Sequence, residues 1–330
     1  MDIILHTFGT AISRDNAGFL IKTKNGEKKH IAPEGISTIQ ITKGIQITSD
    51  AIMLAVEKGI EVILLEKSGK PIGRFWSAQY GSISNIRKGQ LVFSSSPQAV
   101  KWIKQIIEKK VLNQQALILA LQTDSLQQNH EIEKAVSRLE EFIIKIRGLE
   151  GSQVRDIANT IRGWEGYASK IYFDTINHFL PEKYRFYNRS QHPALDVANA
   201  LFNYAYGVLY GKCESALITA GIDPYIGILH RDEYNRPVLI YDFIEVYRIW
   251  ADYVVISILC QDIITDEYYS TLSDGSVYLE SLGRRIIIQS MNDYLDEIVN
   301  INGLNRSRSN HLQLDAQSLA SKFKAFCKTV

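Results

Sequence analysis

The spacing of hydrophobic residues divides the chain into a first part with strand-like patterns and a longer part with helical patterns. Up to about residue 84, short runs rich in β-branched residues alternate with turn signals, which predicts strands. The Asn25-Gly26 pair between two such runs predicts a hairpin, because both residues tolerate positive φ. One helix is predicted from about Ser49 to Lys58. The predicted strands are Ile3–Leu5, Gly18–Ile21, Ile36–Ile41 and Glu61–Leu65.

From about Gln98 onward, apolar residues recur at steps of three and four, the period of an amphipathic helix. The clearest helical segments are Ala99–Gln122, Glu131–Ile146, Val154–Leu180 and Leu314–Phe326. The predicted fold class is therefore α+β, with a small N-terminal mostly-β domain followed by a large all-α domain. We place the β-rich domain at residues 1–84, a linker at 85–97 and the helical domain at 98–330.

Composition restricts the protein class without identifying a function. The 330 residues are 45% hydrophobic and 22% charged, the balance of a soluble globular protein. The formal net charge is only +1, so any contact with nucleic acid requires basic residues clustered on one face. Cys213, Cys260 and Cys327 lie far apart, which argues against a disulfide framework and against a cysteine-ligated zinc site. No signal peptide or membrane-spanning run is recognisable, and we expect a cytoplasmic protein without a membrane partner.

Glu165 is the first candidate for chemistry, because it falls within an apolar stripe of a predicted helix. A carboxylate in such a position requires a partner cation if it is buried. The alternative is an edge carboxylate that reaches solvent, and spacing alone favours this plainer interpretation. The stripe residues at helical spacing around Glu165 are Ile161, Ala168 and Tyr172.

A second polar face lies on the helix predicted from Leu195 to Ala220. Its residues follow a 4-3-4 spacing, and helix propensity does not account for them. They could form the wall of an active site, or they could make hydrogen bonds between helices of the core. These residues are Asn199, Asn203, Tyr206 and Tyr210.

His230 and two acids complete the set of candidates. Asp223-Pro224 is predicted to open a helical segment that ends at His230, where a histidine is usually a hydrogen-bonded core residue. Asp242 and Glu245 are predicted to project together from the next helix, although Arg248 could simply pair with Glu245 or Asp252. Oxygen and nitrogen ligands without sulfur suit Mn²⁺ or Mg²⁺. Spacing does not show that these helices meet.

The motifs around these residues resemble the CRISPR-associated adaptation integrase family, Cas-one, over nearly the whole chain. The resemblance implies that Glu165, His230 and Glu245 bind the metal, with Asp242 close by as a supporting or additional ligand. Many family members have aspartate at the position of Glu245. The tyrosine that assists chemistry in some relatives matches either Tyr206 or Tyr210. The matching segments are Arg162–Gly166 with Tyr172-Phe173, Asn199 with Asn203-Tyr204 and Tyr206, Gly221–His230, and Tyr241–Arg248.

The resemblance also implies an activity and its partners. It implies a metal-dependent endonuclease and integrase that inserts short duplex DNA into a CRISPR array, with Mn²⁺ or Mg²⁺ as cofactor. It implies a homodimer joined through the β domain, which pairs with a small protein, Cas-two. Two alternatives remain, a non-enzymatic DNA-binding scaffold and a metal phosphohydrolase acting on small nucleotides. The basic residues expected to hold DNA phosphates are Arg162, Arg231, Arg236 and Arg248, with Arg185 and Arg189 further out.

Overall fold

The computed structural model describes residues 2–36, 38–66, 71–75, 83–121, 126–230 and 236–327. It separates into two compact units, Met1–Gly81 and Ser82–Val330.

The first unit contains two four-stranded sheets and one helix. In one sheet the order is β1-β5-β7-β8, with β1, β5 and β7 parallel and β8 antiparallel to β7. In the other sheet the order is β4-β3-β2-β6, with β2 antiparallel to β3 and parallel to β6. The elements are β1 (Asp2–Leu5), β2 (Ala11–Asp15), β3 (Gly18–Lys22), β4 (Lys28–Ile31), β5 (Thr38–Thr42), β6 (Gln46–Ile47), α1 (Ser49–Glu57), β7 (Glu61–Leu65) and β8 (Pro71–Phe75).

The core of this unit explains why its short strands are stable. Ile12, Phe19 and Ile39 are fully buried, and α1 packs its alanines against β2 and β7. Thr48 caps the start of α1 by accepting a hydrogen bond from the Ala51 amide. The hairpin predicted at Asn25-Gly26 is confirmed, since β3 and β4 pair antiparallel and Gly26 has a φ of 86°.

The second unit is mainly helical. Two small antiparallel hairpins, β9–β10 and β11–β12, lie among the helices of the domain that the sequence predicted to be all-α. The helices are α2 (Ile83–Ser94), α3 (Pro97–Ala120), α4 (Leu126–Gly148), α5 (Val154–Phe179), α6 (Val197–Thr219), α7 (Leu239–Ile244), α8 (Arg248–Cys260), α9 (Ser281–Asp296) and α10 (Arg308–Phe326). The strands are β9 (Tyr269–Thr271), β10 (Val277–Leu279), β11 (Ile298–Ile301) and β12 (Leu304–Ser307).

The predicted α+β class is confirmed, but the linker at 85–97 is not a linker. Most of that segment is helix α2, which packs closely against α10. At Gly89 an added Cβ would lie 1.7 Å from the Phe323 carbonyl oxygen, so the two backbones approach in a way that only glycine permits. Asn85, Arg87 and Lys88 lie on the exposed face of α2, whereas Gln90 is fully buried.

The packing of the long helices positions the candidate residues. Helix α3 contacts α4, α5 and α8, while α6 contacts α8 and α9. The side chains of α3, α5, α6 and α8 therefore can meet in one interior region. No helix within the described ranges has the length and apolar character needed to cross a membrane.

Candidate metal centre

The candidate residues of α5, the 221–230 loop and the α7–α8 junction meet at one cavity in the second unit. Its volume is about 590 Å³. Glu165, His230 and Glu245 all line it. The other lining residues are Lys110, Gln114, Gly166, Ser169, Lys170, Phe173, Asp174, Phe186, Asn188, Arg189, Gln191, Tyr206, Arg248, Ile249 and Asp252.

Glu165 reaches the cavity from the middle of α5, as its helical phase predicted. Ile161, Ala168 and Tyr172 on the same face are fully buried in the core. The Glu165 side chain is 27% exposed and faces the cavity. Ser169, one turn later, donates a hydrogen bond of 3.1 Å to Glu165 Oε1. The carboxylate is therefore held at the cavity wall instead of extending freely into solvent.

His230 lies in a loop and not at the end of a helix, which corrects the prediction for residues 223–230. Asp242 holds the loop, because its Oδ2 accepts hydrogen bonds from the amides of Ile228 and Leu229 at 2.9 and 3.0 Å. Its Oδ1 accepts from the His230 amide at 3.1 Å and lies 2.6 Å from His230 Nδ1. One carboxylate thus replaces the hydrogen bonds that a helical turn would have made.

Three further contacts hold the same loop and explain its non-helical path. At Gly227 an added Cβ would lie 2.0 Å from the His230 carbonyl oxygen, so the chain folds back on itself there. Buried Gln90 donates to the carbonyls of Asp223 and Ile226 at 2.7 and 3.0 Å. Arg162, predicted to contact DNA, donates to the Leu229 carbonyl. That predicted DNA contact stays a prediction, and the structural contact of Arg162 positions the histidine loop.

Asp242 lies on α7 and Glu245 at its end, where the helix is interrupted before α8, and the two acids contact different groups. Asp242 is 1% exposed, and both of its carboxylate oxygens contact the histidine loop. Glu245 lies at the interruption and lines the cavity. Its Oε1 accepts a hydrogen bond of 2.8 Å from Arg248 Nε, the pairing that the sequence left open.

Lys110 on α3 is a site residue that the sequence analysis missed. Its ammonium group pairs with Glu165 Oε1 and lies 2.6 Å from Glu245 Oε2. Burial raises the pKa of Glu245, but the nearby charges of Arg248 and Lys110 lower it more strongly, to about 2. For Lys110, burial lowers the pKa while Glu245 and Glu165 raise it, and the net shift is upward. The directions agree, so both groups are charged at neutral pH.

The amides of α6 fasten a loop that forms another wall of the cavity. Asn199, fully buried, and Asn203 accept hydrogen bonds from the Arg189 guanidinium. Asn203 also donates to the Ser190 carbonyl at 2.9 Å, and Asn199 to the Asn188 carbonyl at 2.9 Å. Arg189 lies over the ring of Phe202, 4.9 Å from its centroid. The polar face of α6 therefore positions this loop, and Arg189 lies at the cavity instead of further out.

The two candidate tyrosines lie in different surroundings. Tyr206 lines the cavity and donates to Asp252, which also accepts from Tyr172 at 3.0 Å. Burial raises the pKa of Asp252 to about 6, although the two tyrosine hydrogen bonds lower it. Tyr210 packs against Tyr241, whose ring centroid lies 5.6 Å away, and Tyr241 in turn contacts His230. Of the two tyrosines, Tyr206 is the one whose side chain lines the cavity.

The remaining basic residues predicted to hold DNA are placed as follows. Arg248 lines the cavity and stacks over Tyr206 at 5.0 Å from the ring centroid. Arg236 is exposed. Arg185 donates hydrogen bonds to the carbonyls of His178 and Leu180 at the carboxyl-terminal end of α5. Arg231 lies outside the described residues. Their contacts with DNA stay predictions.

The donor atoms of these side chains suit a divalent ion of the Mn²⁺ or Mg²⁺ type, although the side chains are not arranged in the coordination geometry of such an ion. Among the described residues, no three His, Cys, Asp or Glu side chains stand close enough together to form one. Glu245 Oε2 is nevertheless a buried acceptor at the cavity, 2.6 Å from the Lys110 ammonium group, which compensates its charge. Because Asp242 engages His230 Nδ1, Nε2 is the ring nitrogen left for a metal. Two carboxylates and one imidazole at a single cavity suit these ions.

The low pKa of Glu245 predicts a pH-dependent contribution to stability. The pKa of a glutamate is ordinarily 4.5 and is about 2 here, so the contribution is complete above pH 4.5 and is lost as the pH falls toward 2. We expect the difference in unfolding free energy between wild type and Glu245→Gln to be constant above about pH 5. Below about pH 4.5 it should shrink by about 1.4 kcal/mol per pH unit. Urea denaturation between about pH 3.5 and 7 measures this difference in unfolding free energy. A difference that does not change at the acid end of this range contradicts the lowered pKa of Glu245.

Comparison with known proteins gives the family of the chain. A family model described as "CRISPR associated protein Cas1" matches residues 3–293. The chain is 28% identical to CRISPR-associated endonuclease Cas1 1 of Archaeoglobus fulgidus over 338 positions, covering 97% of this chain and 96% of that protein.

Two solved structures with low sequence identity share the fold. The chain in "Casposase bound to integration product" has a TM-score of 0.82 at 20% identity and covers 98% of this chain and 90% of its own length. A chain of the "Cas6-RT-Cas1--Cas2 complex" has a TM-score of 0.79 at 22% identity, covering 98% of this chain and 35% of that chain. Because the family model spans most of its length, the chain belongs to the Cas1 family of CRISPR-associated proteins.

Proposed function

We propose that this chain is a metal-dependent nuclease and strand transferase that inserts short duplex DNA into a CRISPR array. The observation that carries the proposal is the convergence of Glu165, His230 and Glu245 on one cavity, where the two carboxylates share Lys110 as a buried counter-cation. These three side chains would hold Mn²⁺ or Mg²⁺. The naming of a full-length relative as an endonuclease supports the activity.

Each residue of the site has a separate task in this proposal. Glu165 and Glu245 supply oxygen ligands, and His230 supplies Nε2 while Asp242 fixes the orientation of its ring through Nδ1. When bound, a divalent ion neutralises charge on the attacked phosphate and lowers the pKa of the attacking hydroxyl or water. A DNA 3′-hydroxyl as nucleophile gives strand transfer, while water gives cleavage. Arg248 and Arg189 at the wall would orient phosphate oxygens.

The charges of the cavity support the dependence on a metal. Its described lining contains four basic side chains, Lys110, Lys170, Arg189 and Arg248, and four acidic ones, Glu165, Asp174, Glu245 and Asp252. With equal numbers of opposite charges, the lining by itself does not attract a phosphate. A divalent ion would give the cavity the net positive charge that a DNA backbone requires.

Partners are proposed from the same comparisons. One related chain is bound to an integration product and another is in a complex with Cas2, which supports DNA and a small Cas2 protein as partners here. Homodimerisation through the β-rich unit follows from the family resemblance and stays a prediction. A cytoplasmic location, expected from the sequence without a recognisable signal peptide, also stays a prediction. We expect recognition of DNA by shape and backbone contacts.

The function is tested with purified protein, Mn²⁺, labelled duplex DNA and supercoiled plasmid. We expect metal-dependent nicking and joining of duplex ends to the plasmid, both abolished by chelation and restored by added Mn²⁺. Nucleoside triphosphates serve as the competing substrate. Hydrolysis of nucleotides without any reaction on DNA would indicate the phosphohydrolase alternative. A salt-sensitive gel shift with no reaction at any metal concentration would indicate a scaffold.

A further inference from the structure

Lys110 occupies the place between the two carboxylates that would bind the metal. It reaches there from α3, whereas its partners come from α5 and the α7–α8 junction. Its side chain is 7% exposed, and its ammonium group pairs with Glu165 Oε1 and Glu245 Oε2. Glu245 Oε2 is buried, and this ion pair compensates its charge. A buried ammonium at this position compensates two carboxylates that would otherwise repel each other.

Lys110 and a divalent ion would bind the same carboxylate oxygens of Glu165 and Glu245. An ion ligated by both carboxylates lies about 2.0–2.6 Å from each, so an ammonium still in ion-pair contact with them would lie only a few ångströms from it. Two cations at that separation in a buried site repel strongly. Both carboxylates keep another hydrogen bond without Lys110, Glu165 from Ser169 and Glu245 from Arg248. They would therefore remain oriented when the ammonium leaves.

The structure also contains a second place for the ammonium group. Gln114 lies one turn further along α3, lines the same cavity and is 4% exposed. Its Oε1 is buried and accepts no hydrogen bond from the part of the chain that the structure describes. Side chains four residues apart on a helix are neighbours, so the Lys110 ammonium can turn from the carboxylates toward this oxygen.

We propose that Lys110 is the internal counter-cation of the metal-free site and that a divalent ion displaces it toward Gln114. The inference rests on the proposed metal site. In the metal-free chain the lysine keeps two ligands folded inward and lowers the affinity for metal. In the metal-bound chain its positive charge remains at the cavity wall, one helical turn away, where it can contact a phosphate. Lys110 is thus a positioning residue that acts through Glu165 and Glu245.

The test is Mn²⁺ binding by calorimetry and by the electron paramagnetic resonance signal of free Mn²⁺, together with thermal unfolding with and without Mn²⁺. Lys110→Met is expected to unfold at a lower temperature than wild type without metal, yet to bind Mn²⁺ on the order of tenfold more tightly. Lys110→Arg keeps the charge and is the matched control, with affinity near that of wild type. Gln114→Leu removes the second position, so its affinity for Mn²⁺ should fall several-fold while its metal-free stability does not fall.

The outcomes separate this inference from the function on which it rests. If wild type binds no Mn²⁺, or Glu165→Ala binds it as well as wild type, the metal site itself is wrong. If wild type binds Mn²⁺ through Glu165 but Lys110→Met binds it equally or more weakly, the displacement of Lys110 is wrong. If Lys110→Met does not fold without metal, Gln114→Leu decides, because unchanged Mn²⁺ affinity in that variant contradicts the second position and overturns the proposal.

Discussion

Glu165→Gln is expected to lower Mn²⁺-dependent nicking and strand transfer by more than about a hundredfold. Loss of a residue that only supports a metal ligand typically costs 10- to 100-fold, and loss of a ligand should cost more. The amide has nearly the shape of the carboxylate and can still accept the hydrogen bond from Ser169. The fold should therefore persist, and single-turnover rates at saturating Mn²⁺ measure the loss.

Asp174→Asn is the matched control for this experiment. Asp174 lies on the same helix and lines the same cavity, but its half-exposed carboxylate pairs with Lys170 four residues earlier. Such surface pairs contribute little, so we expect rates within about threefold of wild type. Equal losses in both variants would show that the cavity needs negative charge in general, and full activity of Glu165→Gln would remove Glu165 from the metal site.

Asp242→Ala is expected to destabilise the chain by about 3 kcal/mol or more. The substitution leaves the amides of Ile228, Leu229 and His230 without their acceptor in the interior. Each unsatisfied buried amide costs about 1–3 kcal/mol, and local opening of the loop relieves part of that cost. The imidazole of His230 also loses the contact that orients it, so metal affinity should fall as well.

Urea denaturation and Mn²⁺ titration measure these two effects. Asp174→Ala serves as the control, with an expected change in unfolding free energy within about 0.5 kcal/mol. Asp242→Asn should be intermediate in stability, because one amide oxygen can still accept while its NH₂ group faces donors. A loss below about 1 kcal/mol for Asp242→Ala would mean that other contacts hold the histidine loop.

Helical phase correctly placed Glu165 on the face of Ile161, Ala168 and Tyr172, because α5 is an uninterrupted helix. Each residue of such a helix keeps the direction that its spacing assigns. For Asp242 and Glu245, helical spacing did not predict their separate partners, which are the histidine loop for Asp242 and Arg248 with Lys110 for Glu245. Nothing in their spacing indicates that the two acids turn toward different partners.

The position of His230 depended on contacts between distant segments. Its loop is held by Asp242 and Gln90, and the second of these lies on a helix 133 residues before Asp223. A single sequence contains no signal for such a contact. Gly227 was the available clue, because a glycine within an apolar segment often marks a close backbone approach.

Lys110 could have been found by the reasoning that identified Glu165. It falls with Gln114 in an apolar stripe of α3 at 4-3-4-3 spacing, together with Ile103, Ile107 and Leu117. A lysine in that position needs a buried acid as partner. The sequence could not predict which acid this is, because Glu165 and Glu245 lie on other segments of the chain.

The central claim is that Glu165, His230 and Glu245 bind one divalent ion, and anomalous diffraction from crystals soaked in Mn²⁺ tests it most directly. We predict one anomalous peak in the cavity, about 2.0–2.6 Å from His230 Nε2 and from a carboxylate oxygen of each glutamate. A peak at saturating Mn²⁺ that lies elsewhere, or a cavity without a peak, would contradict the claim.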